Sequence, residues 1–406
     1  MGSIGTWRLA AAMAVVGLSG MCPWGSASPS VAWGTYLGGE STEDAYGVAV
    51  DSQGNIYVAG ATTTSGAPWV GGGWDTSFGD GADGWLVKLT PAGAHVWSTY
   101  LGGDGMDYAV DVAVDGDDNV YVFGFSSSAG WVANGLDTSH NGQADAFVVR
   151  LTAAGTHVWS TYLGGAGSES GLGGTVDPSG NVLITGDTTS TGLPTGNDTV
   201  FEGGSEGFVA KLTPACALVW STYVGGAGAD RCRDIAVDGA GNVFLAGDTS
   251  SDGWATGGGD TTIGGGTDAF AARLSPEGAM VWASYLGGAA EDYGYSVALA
   301  TDGSLRVAGL TLSEGWTAGG WSTTYAGGAD GFAAGLTADG VCAWSTYLGG
   351  TGIEIASGVA VDEFGNAYVV GDTLSPGWVS GGWDEALDGS GDAFAVKLSP
   401  LGAHRW

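Results

Sequence analysis

Residues 158–165 read VWSTYLGG, and this stretch returns with small changes along the whole chain of 406 residues. A tryptophan marks each return, at intervals of 61 to 64 residues. These marker positions are Trp33, Trp97, Trp159, Trp220, Trp282, Trp344 and Trp406. Self-similarity at a fixed period is the signature of repeat architectures, so the sequence predicts a tandem array of one structural unit.

Each repeated unit predicts four β-strands. The unit that begins at Asp107 contains the segments AVDVAVD, NVYVFG, DAFVVRL and THVWSTYLGG, which are separated by two short turns and one long loop. The short turns contain Gly-Asn or Pro-Ala-Gly sequences, in which glycine and asparagine accept a positive φ at low cost. No segment shows a sustained helical period. Six such units predict an all-β fold, a single β-propeller of six four-stranded blades.

The two ends of the chain predict how the ring closes. Residues Val31–Gly39 form a fourth strand that has no blade of its own, and we expect this N-terminal strand to pair with the last blade and close the ring. Such pairing removes two exposed sheet edges. Residues Gly402–Trp406 begin another fourth strand, so either both ends share that strand or the natural propeller is larger.

Residues 1–28 predict a secretory signal peptide, and residues 29–406 the propeller. Arg8 precedes a short apolar stretch, Leu9–Leu18, and small residues follow at Gly25 to Ser28. The apolar stretch is too short to span a bilayer, and no other segment is long enough. We therefore expect the chain to be secreted or displayed at the cell surface.

The net charge of −33 limits the possible partners. An acidic surface repels nucleic acid and anionic membranes, so neither is expected as a partner. The same charge attracts cations and favours a soluble monomer. The 18 tryptophans and 14 tyrosines supply large apolar groups for a core, so the 80 glycines do not indicate disorder.

The repeated motif resembles that of the bacterial SBBP-type β-propeller repeat family. It consists of W-S-T-Y-L-G-G, an acidic loop, G-V-A-V-D-x-x-G-N-x-Y-V-x-G and D-A-F-V-x-K-L, and it covers Val31 to Trp406. The resemblance implies an exported, often cell-surface propeller and supplies no catalytic residues. A weaker similarity to quinone-dehydrogenase propellers lies in the Gly-x-x-x-Trp spacing of Gly155 and Trp159, and it implies a device for packing blades rather than a cofactor site.

Two sets of carboxylates recur near the long loops. The first set lies in the loop between a fourth strand and the next first strand: Asp44, Asp107, Glu169, Asp230, Asp292 and Glu354. The second set lies just before the third strand: Asp83, Asp145, Glu206, Asp268, Asp330 and Asp392. Calcium binds six to eight oxygens, often from loops, so these acids are candidate calcium ligands. Recurrence in every unit favours the alternative that each acid accepts hydrogen bonds from loop N–H groups and shapes a turn.

Tryptophans recur in the long loop between the second and third strands. Most units have one such residue: Trp69, Trp131, Trp254, Trp316 and Trp378, with Leu193 in the third unit. Some units have another: Trp74, Trp321 and Trp383. Indoles offer platforms for sugars and peptides, so these are candidate binding residues for a protein or glycan. Their periodic placement favours the alternative that each loop folds back and covers its blade.

Two expectations concern the interior of the blades. Basic residues share a position near the end of the third strand and aspartates share one at the end of the first, which predicts an ion pair such as Lys88 with Asp51. Cys216 and Cys232 either form one disulfide or remain free, like Cys342.

No catalytic constellation is visible in the sequence. Three of the four histidines, His95, His157 and His404, share one repeat position, which leaves only His140 as a unique residue. The leading hypothesis is a non-enzymatic binding or scaffold module that holds its ligand on the face of the long loops. The alternatives are a structural or adhesive repeat of the cell envelope and, less favoured, a hydrolase or lyase with acids on the ring axis.

Overall fold

The computed structural model describes residues 33–66, 69–192, 197–382 and 384–406, so the predicted signal peptide lies outside the described residues. All regular structure in this part of the chain is β-strand. The first blade contains β1 (Glu43–Val50), β2 (Ile56–Thr62), β3 (Asp83–Leu89) and β4 (His95–Leu101). The second contains β5 (Asp107–Val114), β6 (Val120–Ser126), β7 (Asp145–Leu151) and β8 (His157–Leu163). The third contains β9 (Glu169–Val176), β10 (Val182–Thr188), β11 (Glu206–Leu212) and β12 (Leu218–Val224).

The other three blades repeat this order. The fourth contains β13 (Asp230–Val237), β14 (Val243–Thr249), β15 (Asp268–Leu274) and β16 (Met280–Leu286). The fifth contains β17 (Asp292–Leu299), β18 (Leu305–Thr311), β19 (Asp330–Leu336) and β20 (Cys342–Leu348). The sixth contains β21 (Glu354–Val361), β22 (Ala367–Thr373) and β23 (Asp392–Leu398), and its fourth position begins with the C-terminal residues, where His404 bridges to Leu398.

Each blade is an antiparallel sheet in which the strands pair in chain order. The first strand has a bulge in its middle, between Ala109 and Asp111 in the second blade, and the other first strands share the irregularity. First strands of consecutive blades lie beside one another, which places them around the centre. The six-bladed β-propeller predicted from the repeat is confirmed.

The hydrophobic core lies between the blades rather than within one layer. At the junction of the first and second blades, Tyr57, Leu86 and Trp97 pack against Val122 and Phe147 of the next blade. Four more clusters of this kind join the later blades. Burial of both faces of the sheets between these junctions explains why large apolar residues alternate to both sides of the third strand.

A hydrogen bond from the marker tryptophan crosses each junction. Trp97 Nε1 donates to the carbonyl oxygen of Ala153 at 3.1 Å, and its ring lies against Gly155, where a Cβ would come within 2.8 Å of the indole. Gly155 has a φ of 79°, a conformation that favours glycine. The Gly-x-x-x-Trp spacing is therefore a blade-packing device. The third blade has Cys216 at the glycine position, with a φ of 64°.

The chain ends are arranged differently from the expected ring closure. Trp33 Nε1 donates to the carbonyl oxygen of Pro91 at 3.1 Å, so the N-terminal segment lies against the first blade as a preceding blade would. Among the described residues, no hydrogen bond joins residues 33–41 to the sixth sheet. The sheet face of β23 exposes Ala393, whose counterpart Ala269 in the fourth blade is fully buried under the fifth.

The predicted ion pair within the blades is confirmed in three of them. Three Lys–Asp pairs form: Lys88–Asp51 at 3.3 Å, Lys211–Asp177 at 2.8 Å and Lys397–Asp362 at 3.5 Å. Arg150 instead donates to the carbonyl oxygen of Pro214 in the next blade at 2.8 Å. Cys216, Cys232 and Cys342 are free thiols, which decides the open choice for Cys216 and Cys232.

Candidate functional site

The first set of recurring acids opens the first strand of each blade. Asp107 Oδ2 accepts hydrogen bonds from the N–H of Gly103 at 2.9 Å and from the Ser128 hydroxyl at 2.7 Å. These bonds tie the loop before the strand to the loop after β6. In the first blade the equivalent residue is Glu43 rather than the expected Asp44, because Glu43 begins β1 and accepts the N–H of Gly39.

The second set of acids begins the third strand of each blade. Asp83 Oδ2 accepts the N–H of Gly79 at 2.9 Å, and Asp145 Oδ2 accepts the N–H of Asn141 at 2.8 Å. Asp268, Asp330 and Asp392 accept loop N–H groups in the same way. Both sets therefore shape turns, while their capacity to bind a cation stays untested.

The structure brings the two sets together in pairs across the junctions. Burial raises the pKa of Asp83 to about 7, and the Asp107 carboxylate of the next blade adds to this rise. Burial and the neighbouring Glu354 likewise raise the pKa of Asp330 to about 6. A Cβ on Gly349 would lie 2.4 Å from Glu354 Oε2 and 3.0 Å from Asp330 Oδ1, so the two oxygens flank one glycine.

One oxygen of some junction acids has no partner. Asp83 Oδ1 and Asp330 Oδ1 are fully buried and accept no hydrogen bond. A buried carboxylate oxygen without a donor is unfavourable, and a proton on that oxygen, donated to the neighbouring acid, would satisfy both groups. A cation between the two acids would do the same. Across the described ranges, however, no group of three or more His, Cys, Asp or Glu side chains is arranged to hold a metal ion.

The loop tryptophans point their polar edge into the blade. Trp131 Nε1 donates to the Ser126 hydroxyl at 3.0 Å, and its ring meets Phe147 edge-on with centroids 5.0 Å apart. The same bond and the same edge-on contact recur at Trp254, Trp316 and Trp378. Trp69 meets Trp85 edge-on at 5.4 Å.

The long loop itself follows the outer edge of its blade. Gly72 forms a parallel bridge with Ser98 of β4, and Asn134 does so with Ser160 of β8. The loop therefore covers the unpaired edge of the fourth strand, which protects that edge from pairing with another chain. This placement agrees with a covering role for the loop tryptophans, and their binding role stays a prediction.

The second loop tryptophans stack on histidines of the next blade. Trp74 lies parallel to His157 with ring centroids 4.0 Å apart, and Trp321 lies on His404 at the same distance. Burial lowers the pKa of His157 and of His404. Trp383 and Leu193 lie outside the described residues.

A charged cluster breaks the repeat near the centre of the propeller. Arg231 Nε lies 3.2 Å from Asp187 Oδ1 of the preceding blade, and Arg233 pairs with Asp248 within its own blade. Arg233 also lies over the ring of Tyr295, 5.0 Å from its centroid. These side chains sit near the starts of first strands and the ends of second strands, where the long loops leave the blades.

Sequence reasoning did not select this cluster. A signal was present, because two of the ten lysines and arginines of the chain stand at positions 231 and 233. At the position of Arg231 other blades have Tyr108, Ser170, Tyr293 and Ile355, so the repeat does not require a cation there. The repeat period identifies residues that recur in every unit, and it gives no weight to a residue that occurs in one unit only.

The repeat itself identifies the family. The SBBP beta-propeller repeat matches residues 32–66, 96–129, 158–194, 219–253 and 343–377. The chain belongs to the SBBP β-propeller repeat family. The matched repeats include Arg231 and Arg233, whereas Tyr295 stands in the intervening part of this SBBP propeller.

Solved structures are similar to the SBBP propeller at low identity. A protein of unknown function from Bacteroides caccae is 12% identical, with 83% of this chain and 91% of that chain covered and a TM-score of 0.41. A protein of unknown function from Dyadobacter fermentans is 11% identical, with coverages of 84% and 93% and a TM-score of 0.44. The Pan2 WD40 domain of Neurospora crassa is 9% identical, with coverages of 80% and 74% and a TM-score of 0.41. No curated protein matches the chain.

The part of the SBBP propeller that the structure describes contains no helix of the length and apolarity needed to cross a bilayer.

Proposed function

We propose that this chain is a secreted or cell-surface binding module without enzymatic activity, which holds a protein or glycan at the end of the blades from which the long loops leave. The observation that carries the proposal is the pairing of Arg231 with Asp187 at 3.2 Å, with the Arg231 side chain 41% exposed. The cation is thus held in a fixed position by one neighbour while part of it stays open to solvent.

The repeat supports this assignment of the site. Six units fold alike without sharing the residue at the position of Arg231, so the fold does not demand an arginine there. Arginine and tyrosine are enriched among the residues that dominate binding energies. Tyr293 and Tyr295 lie parallel beside this cluster, with ring centroids 6.5 Å apart. In a chain with a net charge of −33, an exposed cation among aromatic rings offers distinct chemistry to hydroxyl and carboxylate groups.

The proposal can be tested with immobilised mature chain, residues 29–406, against an array of soluble glycans and against surface proteins of the producing cell. We expect saturable binding of at least one probe. The Arg231→Ala variant should weaken that binding about tenfold or more, in line with the loss of a charged contact. Arg405→Ala provides the matched control, because it removes the same charge from an exposed position near the C-terminus.

Two results would contradict the proposal. One is the absence of binding to every probe by a folded chain. The other is equal binding by Arg231→Ala and the Arg405→Ala control, which would place the ligand elsewhere. In that second case, quenching of the emission of loop tryptophans such as Trp131 by the bound probe would favour the loop edge as the site.

A second candidate function is a structural or adhesive repeat of the cell envelope. The observation that favours it is the anchoring of the loop indoles, since Trp131, Trp254 and Trp316 donate their N–H groups to hydroxyls of their own blades. Indoles held in this way stabilise the outer edge and leave less of the ring for a ligand. Absence of glycan and protein binding, together with retention of the chain in a cell-envelope fraction, would support this candidate.

A further inference from the structure

The sixth blade has an uncovered face. Five core clusters join consecutive blades, and among the described residues no cluster joins the sixth blade to the first. Ala393 and Ala395 of β23 are exposed on the side that points away from the fifth blade. The residues at the position of Ala395 in the other blades are at most 2% exposed: Leu86, Val148, Val209, Ala271 and Ala333.

The N-terminal segment, residues 33–39 (WGTYLGG), lies on the first blade as the fourth strand of a preceding blade would lie. Trp33 Nε1 donates to the carbonyl oxygen of Pro91, which is the bond that the marker tryptophans make at the internal junctions. Leu37 packs against the cluster of Trp85 in the first blade. One side of the segment is therefore occupied in the same way as in a blade junction.

Tyr36 lies on the other side of the segment and is fully exposed. At the same position in the first five blades, the tyrosine is at most 2% exposed: Tyr100, Tyr162, Tyr223, Tyr285 and Tyr347. Each of these hydroxyls donates to a carbonyl oxygen just after the second strand of its own blade, as Tyr347 does to Ser313 at 2.7 Å. The segment thus carries a residue that is made to be buried in a blade, and it has no such blade around it.

The sixth blade has an open edge at the matching place. Residues 404–406 pair with β23 at Leu398 and Lys397. In the fifth blade the pairing continues further, and Phe332 lies opposite Tyr347. Phe394 stands at the position of Phe332, and in the described part of the chain it lies opposite no fourth strand. The sixth blade is therefore ready to receive a strand that contains a tyrosine.

We infer that copies of this chain associate head to tail, with the N-terminal segment of one copy as the fourth strand of the sixth blade of another. Tyr36 of the first copy then lies opposite Phe394 of the second copy. Its hydroxyl donates to the carbonyl oxygen of Ser375, which stands at the position of Ser313. The first blade of one copy covers Ala395 of the other, so the contact repeats the junction that joins blades within one chain. A heterologous interface of this kind builds open chains or closed rings.

A second copy fits the open edge better than the segment of the same copy. Pairing within one copy requires the sixth blade to meet the first, and their first strands, β21 and β1, do not pack side by side as consecutive first strands do. The C-terminal residues 403–406 compete for the edge, because Trp406 occupies the position that Trp33 needs and lies against Tyr368 with ring centroids 6.1 Å apart. These residues must leave when a second copy docks.

Charge limits the strength of this contact. Asp372 stands at the position of Asp187, and the first blade has Asp44 where the fourth has Arg231, so the new junction lacks that ion pair. The net charge of −33 on each copy also opposes approach and favours the monomer in dilute solution. Added salt screens this repulsion. We therefore expect reversible association that strengthens with protein concentration and with salt.

The test follows the mass of the mature chain, residues 29–406, by sedimentation velocity over a series of protein concentrations. We expect the average mass to rise with concentration. Tyr36→Ala removes the inserted side chain, and Ala395→Lys places a long charged side chain on the receiving face. Each should weaken association about tenfold or more. Phe364→Ala and Ala240→Lys make comparable exchanges at other exposed positions and should associate like the parent.

Misfolding is excluded by thermal melting, since Tyr36 and Ala395 are exposed in a single copy and neither variant should change the melting temperature. A mixture of the two variants then tests the head-to-tail arrangement. Tyr36→Ala retains a working sixth blade, and Ala395→Lys retains a working N-terminal segment. An equimolar mixture should therefore form pairs of chains that grow no further, although each variant alone stays monomeric.

A third variant acts in the opposite direction. Trp406→Ala loosens the competing C-terminal residues and should strengthen association, whereas weaker association would assign the contact to those residues and overturn the inference. It is also overturned if the parent stays monomeric at every soluble concentration, if the mixture forms no pairs, or if either Tyr36→Ala or Ala395→Lys associates as tightly as its control. Arg231→Ala should associate like the parent, so this inference and the proposed ligand site can fail separately.

Discussion

Trp97 and Ala153 are joined across the first blade junction by a hydrogen bond of 3.1 Å from the indole Nε1 to the carbonyl oxygen. Equivalent bonds run from Trp159, Trp220, Trp282 and Trp344 to the next blade, at 2.9 to 3.0 Å. Since the indole is also buried in the junction core, one residue type supplies both apolar contact and a directional contact at every junction.

Replacement of Trp97 by phenylalanine should destabilise the fold. The variant leaves the carbonyl of Ala153 without this donor and leaves part of the junction unfilled, for an expected loss of about 1–3 kcal/mol in the free energy of unfolding. Denaturant titration measures the loss. Trp33→Phe provides the control, because Trp33 makes the same bond to Pro91 from the 38% exposed N-terminal segment. An equal loss in both variants would contradict the importance of the buried junction.

Cys216→Gly should stabilise the protein. Cys216 has a φ of 64°, and all other blades have glycine at this position, where a Cβ comes close to the preceding tryptophan ring. A non-glycine residue in the left-handed region costs about 1 kcal/mol, so we expect a gain of that size. Thermal melting at fixed pH measures it. Cys342→Gly, at the start of β20, is the control and should not stabilise.

Stability should decrease as the pH rises from about 4 to about 7. The folded state raises the pKa of Asp83 to about 7 and that of Asp330 to about 6, so it binds protons that the unfolded chain has already released. The free energy of unfolding therefore falls with pH in this interval. The aspartates of the ion pairs act oppositely, since the pKa of Asp51 is lowered and its contribution is lost only in stronger acid. We expect a higher melting temperature at pH 5 than at pH 8.

Asp330→Asn isolates this effect. An asparagine can donate its N–H₂ to Glu354 at any pH, whereas the parent Asp330 loses its proton as the pH rises through its pKa of about 6. The gain of the variant over the parent should therefore be about 1–2 kcal/mol larger at pH 8 than at pH 5. The gain is read from denaturant titrations at both pH values. Asp117→Asn, at an exposed turn, should behave like the parent. A variant that gains nothing at pH 8 would show that Asp330 is ionised or cation-bound in the folded protein.

A comparison with and without calcium tests whether the recurring acids are metal ligands or only shape turns. Apart from Asp44, whose place Glu43 takes, the described members of both sets accept loop N–H groups, as Asp107 does from Gly103, and turn-forming acids need no metal. We therefore expect the melting temperature of the mature chain to be the same in millimolar calcium and in EDTA. A clear rise with calcium would instead identify metal ligands, because a cation that binds only the folded state stabilises it by mass action. Asp107→Asn and Asp145→Asn would then be expected to remove the rise.

The features that were predicted correctly from the sequence are those that recur in every repeat. The strands, their turns and the ion pair of Lys88 with Asp51 followed from positions that recur, because each blade must solve the same packing problem. The sequence predicted Asp44 in place of Glu43 because the two acids are adjacent. Only the start of β1 at Glu43 shows which of them is equivalent to Asp107. The arginine cluster lies where one blade differs from its neighbours, and such a difference can be interpreted only when the spatial neighbours are known.

The expected closure of the ring could not be decided from the strand motif alone. The motif predicts that Trp33 begins a fourth strand, whereas the structure has no strand before β1; the same tryptophan can dock on the blade after it or complete the blade before it. In the structure the contact with Pro91 is made, while His404 takes up the edge beside Leu398. The N-terminal and C-terminal segments are two copies of the same motif that could occupy the same edge of the sixth blade. The repeat period does not indicate which of them does so.

The tryptophan hydrogen bonds also relate the order of the blades to the order in which they are synthesised. In every case the donor stands earlier in the chain than the acceptor, so a nascent blade leaves the ribosome before the turn that will dock on its indole. At translation rates of about 5–20 residues per second, the next turn emerges on the order of several seconds later. Each blade can thus serve as the template on which its successor condenses, and the array can grow in the order in which it is synthesised.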